Sequence, residues 1–145
     1  MVPTILGRIQ TRLFLMAVVG GPVTALITLV LPLSGPWGPR YQATFIILAA
    51  VAVIGIVWEC VYHLVMQWRW EKDWPTLFGL FTFIPEGILV GILAHQDLIP
   101  GLPGPTPGNA FTIQFLVVWL CVWLAGQGPM RVPFIRWRFD GGRVV

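Results

Sequence analysis

The chain has 145 residues, of which 57% are hydrophobic and only 10% are charged, with a net charge of +3; its mean hydropathy is +0.80. One soluble core of this size cannot hide so much apolar surface, so an ordinary soluble domain is excluded and an integral membrane protein is expected. Nine Lys and Arg residues, spread thinly along the chain, do not form the dense basic patch with interleaved aromatics that nucleic acid requires.

Four apolar segments approach the roughly 20 helical residues needed to cross a hydrocarbon layer about 30 Å thick. They predict an all-α bundle of four transmembrane helices, at about Leu13–Leu33, Tyr41–Met66, Thr76–His95 and Ala110–Gln127, within a single domain over 1–145. Arg8 and Arg12 precede the first segment, which is too long for a signal-peptide core and is followed by no small-residue cleavage site. Pro22, inside it, predicts a kink.

The second segment, from Tyr41, places Glu59 and His63 inside an apolar run. At helical spacing, Glu59, Tyr62, His63, Gln67 and Trp70 form one polar stripe that continues through Gly55 and Ala52. Small residues let helix backbones approach closely where lipid supplies no hydrophobic drive, so this face is expected to meet protein. The connection "EKDW" is short and predicts a tight antiparallel hairpin of helices 2 and 3; Glu71 and Asp73, interleaved with Arg69 and Lys72, read as a self-neutralised turn.

On helix 3, Gly87 and Gly91 form a G-x-x-x-G face beside Glu86, with Pro85 before it as a hinge. In an antiparallel hairpin Glu59 and Glu86 fall at one depth. Two anions in contact in a low-dielectric site do not both ionise comfortably, so one carboxyl is expected to carry a proton. Intramembrane carboxylates commonly mark proton or cation routes. The plainer reading makes Glu59, Tyr62, His63 and Glu86 polar contacts that join helices.

Beyond helix 3, "PGLPGPTPG" makes the extracytoplasmic loop 96–109 a stiff connector that is neither helix nor strand. His95 lies at the opposite side of the membrane from His63, so the two do not ligate one haem, and Glu59, Tyr62 and His63 miss the Glu-x-x-His spacing of di-iron bundles. No metal or other cofactor is expected. Cys60 and Cys121 lack metal or redox spacing and read as small buried hydrophobes.

The tail 129–145, following helix 4, alternates Arg with Phe, Ile and Trp, which suits a bilayer surface; a docking strand for a partner is the alternative. Eight of the nine cationic residues fall on one side, leaving Arg40 on the other, so both termini are expected in the cytoplasm. Trp37, Trp68, Trp70, Trp74 and Trp137 fall near the predicted interfaces. Arg outnumbers Lys eight to one and Ala, Gly, Val and Pro abound, which points to a bacterial plasma (inner) membrane.

No nucleophile, base and acid converge, no phosphate-binding glycine loop opens a helix, and no zinc-protease motif occurs, so an enzyme is not expected. Two functions fit. The first is an accessory, assembly or scaffold subunit of a larger membrane complex, with lipids and other membrane subunits, or further copies of itself, as partners. The second is a small proton- or cation-coupled transporter, or carrier of a lipid-linked substrate, working as a homo-oligomer through Glu59 and Glu86.

Overall fold

The computed structural model describes residues 4–68, 76–134, 137, 139 and 142–144, with the side chains of 76–78 left out. The described residues hold helices and no strands. The hairpin connection, with Arg69, Trp70, Glu71, Lys72, Asp73 and Trp74, lies outside them, as do Arg136 and Arg138 of the tail.

Helix α1 runs Ile5–Ile27 and begins well before the apolar run does. Thr4 caps it: extended at φ −74°, ψ 154°, its hydroxyl accepts from the Gly7 N–H at 3.2 Å. Arg8 and Arg12 are therefore helical residues one turn apart, not a flanking strand of charge. Pro22 is absorbed by a wide π turn over Met16–Gly20, in which the Gly21 N–H reaches back five residues to the Met16 carbonyl. The proline then sits in the first turn of the resumed α-helix, where its missing N–H costs least.

Helix α2, Trp37–Gln67, starts after the extended Pro36 and has 31 residues, about 46 Å of helix. Its buried residues, Thr44, Ile47, Val51, Gly55, Tyr62 and Met66 among them, form one stripe at three- and four-residue spacing.

The third apolar segment is interrupted. A short helix, Thr76–Phe81, ends at Thr82, and helix α3 then runs Phe83–His95. Pro85 therefore lies in the first turn of α3 and not within a continuous helix, again where a proline is tolerated. At the break the Tyr62 hydroxyl of α2 donates to the Thr82 carbonyl at 3.1 Å, while the Thr82 hydroxyl turns back to the Gly79 carbonyl at 2.8 Å. Helix α4 spans Gly108–Gln127 and is followed by one 3₁₀ turn, Pro129–Arg131. α1, α2 and α4 are long and apolar enough to cross a membrane; the described apolar helix over Gly79–His95 is shorter.

The core joins all four helices: Met16 of α1, Ile47 and Val51 of α2, Val90 and Ala94 of α3, and Phe111 and Phe115 of α4, closed by Ile99 of the loop. The Pro/Gly loop is docked onto the bundle, with the Thr106 N–H on the Ala94 carbonyl at 3.1 Å and the Gln42 amide on the Gly101 carbonyl at 3.0 Å. Nearby, a second polar layer ties α1, α2 and α4 together. Thr28 and Thr44 share a hydroxyl contact of 2.9 Å, and the buried Gln114 amide donates to the Thr44 carbonyl at 2.7 Å.

The described tail residues pack on α1. Trp137 Nε1 donates to the Thr11 hydroxyl at 2.7 Å, which donates in turn to the Gly142 carbonyl at 2.8 Å. The Val144 N–H meets Gln10 at 3.1 Å, and Phe134 meets Phe14 edge to face at 5.2 Å. Gly142 makes the closing turn at φ +84°, a conformation that glycine adopts without strain.

Candidate functional site: a closed cluster of two arginines and two glutamates

The charged residues of α1 converge on the carboxylates of α2 and α3. Arg8 Nε lies 2.7 Å from Glu59 Oε2, and Arg12 Nη1 lies 3.3 Å from Glu59 Oε1 and 3.1 Å from Glu86 Oε1. Arg12 Nη2 completes the fork on Glu86 Oε2 and also donates to the Val51 carbonyl at 3.2 Å. The order Arg8, Glu59, Arg12, Glu86 alternates in sign, sums to zero, and occupies all four carboxylate oxygens. Planar two-pronged pairing of this kind is the arrangement arginine makes best.

Burial is graded along the chain of charges. The side chains of Arg8 and Glu59 are 17% and 14% exposed, whereas Arg12 is 8% and Glu86 1% exposed. The deep pair is sheltered by α4, where the Trp119 ring lies 5.8 Å from the Arg12 guanidinium carbon.

Gly55 makes the site possible. A Cβ on Gly55 would overlap the Arg12 guanidinium, so the absence of a side chain opens the passage through which Arg12 reaches the α2 backbone. The other two small residues serve a different neighbour. Gly87 and Gly91 lie under the Phe115 and Phe111 rings of α4, which a Cβ would approach to 2.7 Å and 2.9 Å. The G-x-x-x-G face thus seats aromatic rings from α4; α2 meets α3 elsewhere, through Val51, Val90 and Ala94.

A single guanidinium touches both Glu59 and Glu86, so the two lie in one layer, and the contacts Tyr62 to Thr82 and Gln42 to Gly101 follow the same antiparallel register. The sequence placed two carboxylates together at this level, with one of them expected to carry a proton. The structure brings two guanidiniums to them, so each carboxylate lies against a cation. His63 stands aside, its Nε2 3.4 Å from the Gln67 amide. Tyr62 serves the α3 break and stacks on Trp58 at 5.7 Å.

Arg8, Arg12 and Trp119 are the members that sequence reasoning passed over. Their signal was present: Thr4 is a helix-capping residue, and Arg8 and Arg12 are four apart, on one face of any helix that begins there.

Among the described residues the class is thus an all-helical protein with three helices long and apolar enough to mark it as a membrane protein, and a balanced ion cluster at the meeting of α1, α2 and α3. No family model, curated protein or solved structure matches the chain.

Proposed function

We propose that this protein is an accessory, assembly or scaffold subunit of a larger complex in a bacterial plasma membrane, with four spans and both termini in the cytoplasm. One observation carries the reading: every carboxylate oxygen of Glu59 and Glu86 is engaged by an arginine of the same chain. A coupling carboxylate must release its partner to take up a proton or cation, and here that exchange strips the buried Arg12 guanidinium of its Glu86 partner. The cluster therefore works as a fastener among helices and leaves the outer helix faces as the acting surface. The exposed residues Val53, Val57 and Leu64 on α2, Val18 and Leu26 on α1, and Leu29, Val30 and Trp68 just beyond the ends of these helices are available to lipid and to neighbouring subunits.

The test is extraction of the tagged chain from its own membrane in mild detergent, followed by native mass spectrometry. Recovery with larger, unrelated subunits at fixed stoichiometry is the expected result. Recovery as a homo-oligomer alone, together with pH-dependent ion flux in vesicles that Glu59→Gln and Glu86→Gln both abolish, would overturn the proposal in favour of a transporter.

A further inference from the structure

A groove of about 550 Å³ runs between α3 and α4. Its walls include Ile84, Ile88 and Ile92 of α3 and Leu116 of α4, all exposed along the trough. Gly87 and Gly91, with the Phe115 and Phe111 rings over them, also line it. The two ends differ in chemistry. At the loop end stand His95, Gln96 and Thr112; at the other, Phe83 and Ile84.

Length and polarity select the occupant. From Phe83 to Gln96 the α3 axis advances about 20 Å. A hydrocarbon chain, about 5 Å thick at carbon contact distances, fits a trough of that length and volume. One leaflet contributes about 15 Å of hydrocarbon, so a chain hung from the loop end runs most of the groove's length.

We propose that the groove is a binding site for one acyl chain of a phospholipid, with its headgroup at the His95, Gln96 and Thr112 mouth. The polar mouth and apolar trough reproduce the polarity of such a molecule, and the histidine and amide side chains offer hydrogen bonds to a phosphate. Asp97, exposed beside the mouth, supplies an anion there, which suits a headgroup carrying an amine. The site does not depend on any protein partner.

The test uses the full chain in dodecyl maltoside, titrated with dioleoylphosphatidylethanolamine and read by native mass spectrometry. Leu116→Trp fills the trough, Thr112→Trp blocks the mouth, and Ile113→Trp places the same ring on α4 outside the groove. Thermal unfolding in the same detergent checks that each variant is folded. The parent should hold one lipid per chain, the two groove variants should bind it about tenfold more weakly, and Ile113→Trp should bind like the parent. Loss of lipid equally in all three variants, its retention in folded Leu116→Trp, or uncountable lipid adducts on the parent would overturn the proposal. So would a groove variant that sheds a protein partner while its lipid occupancy stays unchanged.

Discussion

Replacing Arg12 with Met leaves the length of the side chain and removes its charge. Glu86 then loses the partners of both its oxygens while only 1% exposed, and Glu59 keeps Arg8 at 2.7 Å. Stripping one partner from a buried ion pair costs about 3–5 kcal/mol. Polar contacts between helices in membranes average nearer 0.6 kcal/mol, because the unfolded chain in lipid also finds partners. Near-complete burial and forked geometry put this pair toward the upper range, so Arg12→Met should lose about 3 kcal/mol. Glu86→Met should lose less, about 1–2 kcal/mol, since Arg12 keeps Glu59 and the Val51 carbonyl. With both replaced, no charge is stranded and the double variant should lie within about 1 kcal/mol of the parent. The assay is equilibrium unfolding in mixed micelles by titration with dodecyl sulfate, followed by helical circular dichroism, for all four proteins. A coupling energy of at least about 3 kcal/mol is expected from the cycle. Additive losses, or an Arg12→Met variant within about 0.5 kcal/mol of the parent, would refute the placement of a buried ionised pair.

Gly55→Ala should cost nearly as much as Arg12→Met, because its methyl occupies the guanidinium's place, and in an Arg12→Ala background the same change should cost under about 0.5 kcal/mol; the same titration measures both. Gly87→Ala should lose about 1–3 kcal/mol by crowding Phe115, with part of the loss recovered in Gly87→Ala combined with Phe115→Leu. Arg8→Met should shift stability by no more than about 1 kcal/mol, because its pair with Glu59 is partly solvated, and a loss as large as that of Arg12→Met would show the burial gradient to be mistaken. Gly142→Ala forces a side chain into φ +84° and should loosen the tail by about 1–2 kcal/mol. Tryptic cleavage after the exposed Arg143 should then accelerate about 5–30-fold.

The membrane class, the apolar helices and the level at which Glu59 meets Glu86 were legible in the sequence. Each depends on local quantities: hydropathy over about 20 residues, and helical rise counted from a short turn. The start of α1 was not legible from hydropathy, because the apolar run opens at Leu13 while the helix opens at Ile5, on the strength of the Thr4 cap. Reading Arg8 and Arg12 as flanking charge hid the fact that, four apart on a helix, they share a face. The sequence also could not say which neighbour each glycine meets. Gly55, Gly87 and Gly91 look alike as small residues, yet one admits a guanidinium from α1 and two seat rings from α4.

That difference has a plain physical cause. Periodicity fixes which residues of a helix share a face, and it did so for Gly55, Glu59 and Tyr62. Which face of a second helix arrives there is decided by packing among all four helices at once. A carboxylate at depth calls for a proton or a countercharge, a demand that the sequence states; only the tertiary structure shows that α1 brings two arginines to the pair and binds three helices into one bundle.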